Sequence, residues 1–161
     1  MVPATSIVQK PLLTLGLGEI LESGAVAHHG PSTRARKENH KMEIVQRDDC
    51  EPFVTKDGSI IRELLAHRNS SIRNQSLAEA TIPVGVVTQL HHHPKTEEIY
   101  YILSGSGKME IDGQLRQVGP GDAIAIGPGK WHRIHNDGSI DLVLLCCCAP
   151  GYEHSDTVLA T

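Results

Sequence analysis

The amino-acid sequence predicts an all-β domain, built as a sandwich or a barrel of short strands. Apolar, β-branched runs recur at regular spacing from Gln75 onward, and Gly/Asp turns such as Asp112-Gly113 separate them. Almost no segment repeats its apolar residues with the period of a helix, about 3.6 residues. Many short strands with turn signals between them are typical of sandwiches and barrels. A chain of 161 residues is long enough for one such domain and too short for two of typical size.

The first 42 residues differ from the rest of the chain. Prolines and glycines interrupt them, and they hold neither a strand period nor a helix period. We therefore expect an irregular N-terminal extension over residues 1–42 and the β-domain over residues 43–161. Ala25-Val26-Ala27 weakly resembles a signal-peptidase site, but Glu19 and Glu22 precede it where a signal peptide is apolar, so export is not favoured.

The first strands of the domain are predicted from short apolar runs. Glu43-Ile44-Val45 is expected to be a strand, and Asp57-Gly58 is a tight-turn signal. Ser59 to His67 can form either two helical turns or a strand. Gln75 to Pro83 is predicted as a strand whose one face carries mostly small side chains, which suits the inside of a small barrel with room for a ligand. That face comprises Ser76, Ala78, Ala80 and Ile82.

The later strands are expected to form hairpins. We expect Ile99 to Leu103 to pair with Lys108 to Ile111, and Asp112-Gly113 to turn the chain into Gln114 to Val118. Ala123 to Ile126 is predicted as a further strand. Trp131 to His135 and Leu142 to Cys148 are expected to close the sheet around Asn136-Asp137-Gly138. The tail, Ala149 to Thr161, is predicted to be an arm that lies over the sheet or over a neighbouring subunit.

A histidine-rich stretch carries the chemistry of the chain. In an extended segment alternate side chains point the same way, so His91 and His93 share a face and His92 takes the other. Glu98 begins the next apolar run, and His132 ends a strand–turn–strand unit. Each residue alone is explained as a solvated or core side chain, but together they predict a shared metal site. Three imidazoles and one carboxylate suit Fe(II), Mn(II), Ni(II), Co(II) or Zn(II) better than Mg(II) or Ca(II).

Two spaced motifs in this region resemble those of the cupins. From Gly85 to Gly105 the sequence is glycine, five residues, His-x-His, four residues, glutamate, six residues and glycine. Gly121 to Asn136 is similar to the second cupin motif, with Gly127 where the usual proline stands and Pro128 one place later. The resemblance extends from about Asp57 to Thr157. It implies a double-stranded β-helix, or jelly-roll barrel, an extended conformation for Ser59 to His67, and a metal inside the barrel.

The resemblance does not define the reaction, because cupins include dioxygenases, decarboxylases, isomerases, lyases, cyclases, sensor domains and storage proteins. The chain is most similar to small stand-alone cupins labelled phosphomannose-isomerase-like. We expect a metal-dependent enzyme, with Fe(II) or Mn(II) first among the metals. The first expectation is a dioxygenase acting on a small, chelating, oxygen-rich or phenolic substrate. The alternatives are a non-oxidative isomerase, lyase or cyclase, or a non-enzymatic module that binds a metal or a small ligand.

Further site residues follow from the alternation of side chains. A Glu98 carboxylate that loosens from the metal can accept a proton, and Tyr100 on the same face can donate to a substrate oxygen, so both are candidate catalytic residues. Gln89 shares the face of His91 and is expected to line the pocket and contact the substrate together with Tyr100. Gln89 and Tyr100 are equally well explained as core polar residues. Trp131 is expected to face away from the metal, and His92, His135 and His154 to be structural or exposed.

The cysteines do not form a disulfide or zinc-ribbon pattern. They are Cys50 and the run Cys146-Cys147-Cys148, in which the outer two share a face. Those two either fill the core as small apolar residues or face the barrel interior near the metal. Free thiols in this number predict a reducing, cytoplasmic setting.

Charge and hydropathy limit the partners of the chain. The formal net charge of −4 is spread along the chain, so no basic surface for nucleic acid is expected. No apolar run approaches the roughly 20 residues that span a bilayer. The expected partners are a small-molecule substrate and a second copy of the chain. A homodimer is expected through the edge elements Glu43-Ile44-Val45 and Ile60 to Leu65, because an exposed sheet edge invites pairing.

Overall fold

The computed structural model describes residues 42–161. The extension predicted for residues 1–42 lies outside the described residues, apart from Met42. Within residues 42–161 the chain forms eleven strands and two 3-10 helices, Arg47–Asp49 and His154–Asp156, so the all-β prediction is confirmed. No helix in this range has the length and apolar character needed to cross a membrane.

The strands are short, as the spacing of the turn signals predicts. In chain order they are β1 (Phe53–Val54), β2 (Ile60–Leu65), β3 (Ser76–Ile82), β4 (His91–His92), β5 (Glu97–Ser104), β6 (Gly107–Ile111), β7 (Gln114–Val118), β8 (Ala123–Ile126), β9 (His132–His135), β10 (Leu142–Ala149) and β11 (Val158–Leu159).

Two antiparallel sheets enclose the interior of the domain. One has six strands in the order β1-β2-β3-β10-β5-β8, and the other has five in the order β11-β4-β9-β6-β7. Side chains alternate between the inner and outer faces: along β10 every second residue is buried, from Leu142 to Cys148. This is the jelly-roll barrel, or double-stranded β-helix, that the two sequence motifs imply.

The predicted pairing of Ile99 to Leu103 with Lys108 to Ile111 is wrong, because β5 and β6 belong to different sheets. Strand β5 pairs with β8 and β10, whereas β6 pairs with β7 and β9. Between β5 and β6, Gly105 has a φ of 77°, and a Cβ there would lie 2.5 Å from the main-chain oxygen of Asp141. Only glycine fits this close passage, which carries the chain from one sheet to the other.

The predicted closure of one sheet by Trp131 to His135 and Leu142 to Cys148 is also wrong, since β9 and β10 lie in different sheets. The side chain of Asn136 is fully buried at this crossover. Its amide donates to the carbonyl oxygens of Ile82 and Ile140, and its oxygen accepts from the main-chain N–H of Gly138. These bonds stabilise the passage between the sheets. The β6–β7 hairpin is confirmed, with Asp112 and Gly113 both at positive φ as a type I′ turn requires.

The start and the end of the described chain differ in how well they were predicted. Glu43-Ile44-Val45 is exposed and does not form a strand, because no described strand lies alongside it for pairing. The Glu43 carboxylate instead accepts hydrogen bonds from the main-chain N–H and the hydroxyl of Ser71. Strand β2 is confirmed, and the two-residue β1 covers part of its edge. The C-terminal arm lies over its own domain, where β11 pairs with β4.

The interior divides into an apolar part and a polar part. The apolar part packs the largest fully buried aliphatic side chains, each of which stabilises the fold by about 1.5–3 kcal/mol. They are Ile82, Ile102, Ile134, Leu142 and Leu144. The polar part holds buried carboxylates, imidazoles and hydroxyls, and burial of such groups carries a cost unless they bind a partner.

Candidate metal centre

Four buried side chains from both sheets meet in the polar part of the interior. In the five-stranded sheet, His91 on β4 is paired with His132 at the start of β9, and His93 follows β4 directly. Glu98 comes from β5 of the six-stranded sheet. One potential ligand atom from each of the four residues lies within 4.8 Å of all the others, and the residues are 0–5% exposed. The structure thus brings together the four residues that the sequence predicted as metal ligands.

Main-chain carbonyl groups orient all three imidazole rings. The Nδ1 atoms of His91 and His132 lie 2.8 and 2.9 Å from the carbonyl oxygens of Gln89 and Lys130. The Nδ1 atom of His93 lies 3.3 Å from the carbonyl oxygen of Asp156, in the C-terminal arm. A carbonyl oxygen only accepts hydrogen bonds, so each Nδ1 carries the proton. In the neutral ring each Nε2 then has a lone pair for a metal, the arrangement that fixes histidine ligands in metal sites.

Acceptor atoms face one another at the centre of the cluster. The Oε2 atom of Glu98 lies 3.3 Å from Nε2 of His132 and 3.6 Å from Nε2 of His93. Glu98 Oε2 and His132 Nε2 are both buried without a hydrogen-bond partner among the described residues. Buried polar atoms without a partner are rare in folded proteins. A cation bound between these atoms satisfies both, and three imidazole nitrogens with one carboxylate oxygen suit a divalent transition metal.

The electrostatics of the cluster favour the forms of its side chains that bind metals. Burial raises the pKa of Glu98, but contacts with His132 and His93 outweigh burial and hold that pKa well below its usual range. Burial and the neighbouring His132 lower the pKa of His91, which favours the neutral ring. Burial also lowers the pKa of His93, but the Glu98 carboxylate raises it by more. A metal ion therefore competes with a proton chiefly at His93.

A thiol holds the second oxygen of Glu98. Cys148 is directly opposite Glu98 in the β10–β5 pairing, and its Sγ donates to Glu98 Oε1 over 3.4 Å. Burial and the Glu98 charge raise the pKa of Cys148, so the thiol keeps its proton and acts as a donor. Cys146 faces the same side and is opposite Tyr100. The two outer cysteines of the run therefore face the barrel interior beside the cluster.

A small cavity adjoins the cluster. Its volume, taken as the space open to the centres of water molecules, is about 50 Å³. Such a volume holds about three or four water molecules. Tyr100 lines it, with its ring centroid 6.1 Å from that of His132, and its hydroxyl has no hydrogen-bond partner among the described residues. Burial and the charge of Glu98 raise the pKa of Tyr100 well above its usual value. The phenol is therefore protonated and available as a donor.

Some predicted pocket residues lie elsewhere. Gln89 is exposed and does not line the cavity; its main-chain N–H donates to the carbonyl oxygen of Asp57, and its carbonyl accepts from His91. The prediction assumed strict alternation, but β4 begins only at His91 and the segment before it is irregular. Ala78 lines the cavity, whereas Ala80 packs in the apolar core. Trp131 contacts His92, with ring centroids 4.4 Å apart, on the side away from the cluster.

Sequence reasoning missed three residues of the site. Asp57 lines the cavity and is 8% exposed. Asp57 lies in the turn between β1 and β2, so no strand alternation in the sequence could have revealed it, and Thr55 and Ser59 on either side bond its carboxylate. Tyr152 lines the cavity from the C-terminal arm, and Asp156 orients His93. The arm has no sequence pattern that predicts where its residues lie.

Comparisons with known proteins agree with this geometry. The profile of the family described as Cupin domain matches residues 78–148. An uncharacterized protein of Methanocaldococcus jannaschii is 51% identical over 118 residues, which cover 72% of this chain and 94% of that protein. The chain is a cupin. The family that its two motifs predicted is therefore confirmed.

Solved structures share the fold of this cupin. One is a predicted oxalate decarboxylase from Thermotoga maritima, with 26% sequence identity and a TM-score of 0.60, covering 67% of this cupin and 99% of that chain. Another is the polyketide cyclase RemF from Streptomyces resistomycificus, with 22% identity and a TM-score of 0.65, covering 75% of this cupin and 87% of that chain. At 22% identity the second likeness concerns the fold alone.

Proposed function

We propose that this cupin is an enzyme that binds one divalent transition metal through His91, His93, Glu98 and His132 and acts on a small chelating molecule in the adjoining cavity. The observation that carries the proposal is the pair of buried atoms, Glu98 Oε2 and His132 Nε2, which face each other without a hydrogen bond. Fe(II) and Mn(II) are the first candidates, and Ni(II), Co(II) and Zn(II) suit the same donors.

When bound, such a metal supplies Lewis-acid polarisation of a substrate oxygen or a place for dioxygen beside an electron-rich substrate. The side chains around the cavity supply the remaining chemistry. Tyr100 donates its phenol proton in a hydrogen bond to a substrate oxygen, because burial keeps it protonated. Glu98 would accept a substrate proton once its carboxylate loosens from the metal, while Cys148 holds its Oε1 in place. The small volume of the cavity favours a small substrate beside the metal.

Two reaction classes remain within this proposal. The first is the dioxygenase reaction expected from the sequence. The second is a non-oxidative lyase or isomerase reaction, and the proton donor Tyr100 beside the carboxylate of Glu98 favours it. The likeness to a predicted oxalate decarboxylase, at 26% identity, also supports a non-oxidative reaction; the proposal takes from it the reaction class and not oxalate as the substrate.

A pair of experiments tests this function. Metal analysis of protein purified without a metal-affinity step is expected to give one equivalent of transition metal per chain. Small chelating compounds are then incubated with the Fe(II) and Mn(II) forms, with and without O₂, while oxygen uptake and product mass are followed. Turnover without O₂ and without added oxygen in the product removes the dioxygenase. Reversible binding without turnover removes the enzyme and favours a carrier or sensor.

The free cysteines support the expected compartment. All four cysteines of the chain are free thiols, and Cys146 and Cys148 are buried beside the cluster. Persistent free thiols are typical of reducing compartments. We therefore propose that the enzyme acts in the cytoplasm.

A further inference from the structure

The charge of the cavity restricts the substrates that can enter it. Its lining includes three carboxylates, Asp57, Glu63 and Glu98, and among the described residues that line it none is a lysine or an arginine. Besides these carboxylates and the imidazoles, its polar groups are the thiols of Cys146 and Cys148 and six hydroxyl groups, those of Thr55, Ser59, Ser76, Tyr100, Tyr152 and Thr157. A substrate with two negative charges therefore meets no lysine or arginine among the residues of 42–161 that line the cavity.

Asp57 is the carboxylate whose charge is not balanced by a cation. It is 8% exposed, and no described lysine, arginine or histidine forms an ion pair with it. Hydroxyl groups hold it instead: Thr55 donates to Oδ1 over 2.5 Å, and Ser59 donates to Oδ1 and Oδ2 over 2.7 and 2.9 Å. These hydrogen bonds fix the Asp57 carboxylate in the wall of the cavity.

The other two carboxylates are compensated. Glu63 forms a two-pronged ion pair with Arg68, which is outside the cavity lining. Glu98 belongs to the metal cluster, where its charge offsets one of the two charges of a divalent ion. Asp57 offsets the second charge, and its field raises the pKa of Tyr100 and of Tyr152, although burial raises both by more. With the metal bound, the interior is close to neutral before a substrate enters.

We propose that Asp57 selects the substrate by charge: the site takes chelating molecules that carry at most one negative charge and discriminates against dianions. This inference rests on the proposed metal-dependent function and narrows its substrate class. A neutral or singly charged chelator, such as a hydroxyketone or a phenol, brings little charge into a buried space. A dianion such as oxalate brings two negative charges. In a poorly solvated interior the repulsion between these charges and the Asp57 carboxylate is strong.

The test uses two chelators of matched shape, oxalate with two negative charges and oxamate with one. Their binding to the Co(II)-loaded protein is measured by visible absorption and calorimetry, with metal content checked after each titration. We expect Asp57→Asn, which keeps an oxygen acceptor for Thr55 and Ser59, to raise the affinity for oxalate relative to oxamate by about tenfold. Asp141→Asn removes an exposed carboxylate and is the matched control. It should leave the ratio unchanged.

The outcomes separate this inference from the function on which it rests. An oxalate-to-oxamate ratio that is the same in Asp57→Asn and the wild type overturns the charge selection. If Asp57→Asn does not fold, the wild type alone still tests the charge selection. Its ratio of oxalate affinity to oxamate affinity should lie about tenfold below the same ratio for aqueous Co(II). An equal ratio for protein and aqueous ion overturns the inference. Failure of the wild type to hold Co(II), or to bind either chelator once loaded, overturns the proposed function instead.

Discussion

At the scale of single residues, the main chain prepares the histidines for their role. Each imidazole donates from Nδ1 to a carbonyl oxygen, so its orientation and tautomer are set by backbone atoms and not by other side chains. This arrangement leaves the Nε2 atoms of His93 and His132 facing Glu98, with a ligand atom of His91 within 4.8 Å of the other three ligand atoms. A site organised in this way needs little rearrangement to bind a metal.

We predict that His132→Ala and His93→Ala each lose most of the bound metal, because the remaining ligands cannot complete the set of donors. Metal content per chain, measured by mass spectrometry on folded protein, checks this. His92→Ala is the matched control: its ring belongs to the same triplet but contacts Trp131 on the opposite side. It should keep its metal. Full occupancy in either ligand variant would show that the ligands are assigned wrongly.

Cys148 is predicted to position Glu98. Cys148→Ala removes the hydrogen bond to Glu98 Oε1 and should weaken metal affinity by about tenfold, the lower limit for loss of a partner behind a metal ligand. Competition with a metallochromic chelator measures the affinity. Cys147→Ala, in which the altered side chain faces out of the barrel, serves as the control. Equal metal affinities in the two variants would leave Cys148 with a packing role only.

At the scale of elements, two of the crossings between the sheets each depend on a single residue. The β5–β6 crossing depends on Gly105, where both the positive φ and the close approach to Asp141 exclude a side chain. The β9–β10 crossing depends on the buried amide of Asn136. These two positions set which strands face each other and therefore where Glu98 meets the histidines.

Gly105→Ala is expected to destabilise the fold by about 3 kcal/mol or more. A left-handed residue with a Cβ costs roughly 1–2 kcal/mol, and here the backbone must also move away from Asp141. Gly113→Ala is the control, since Gly113 has a similar φ of 79° but open space around its Cβ position. Gly113→Ala should destabilise the fold only by the roughly 1–2 kcal/mol that the left-handed conformation costs. Urea unfolding of both variants measures the difference, and equal losses would refute the role of the close approach.

The same elements show what a sequence can and cannot predict. The period of two along β3 and β10 reveals which side chains face inward, because that depends on the strand alone. It does not reveal the partner strand, and β5 and β6 therefore resembled a hairpin although they belong to different sheets. The four candidate ligands could be brought together from the sequence because the motif spacing places them. Tyr152 and Asp156 were not, since a tail without periodicity is positioned only by tertiary contacts.

At the scale of the whole molecule, residues 42–161 contain both sheets, the apolar core and the metal cluster. A chain that starts at Met42 is therefore predicted to be folded and to bind metal. Cooperative thermal unfolding and metal content, both compared with the full chain, check this. Loss of soluble expression would indicate that residues 1–41 complete a sheet or a subunit interface.

The homodimer remains a prediction from the exposed sheet edge. Within residues 42–161 one edge of the six-stranded sheet lies at β1, whose two residues pair with only part of β2 on that side. A strand with unpaired N–H and C=O groups invites pairing with a second copy. Light scattering at micromolar concentration is expected to give the mass of two chains. A mass of one chain under those conditions would refute dimerisation.

The position of Glu98 also concerns how the protein opens and closes. It alone among the four candidate ligands belongs to the six-stranded sheet, so an ion held by all four ties that sheet to the other one. Opening of either sheet then requires release of the ion, and hydrogen exchange should slow in both sheets together when metal is added. Because the ion binds the closed form only, the free energy of closure becomes more favourable by RT ln(1 + [M]/Kd). The concentration of free metal therefore controls how strongly the two sheets are held together.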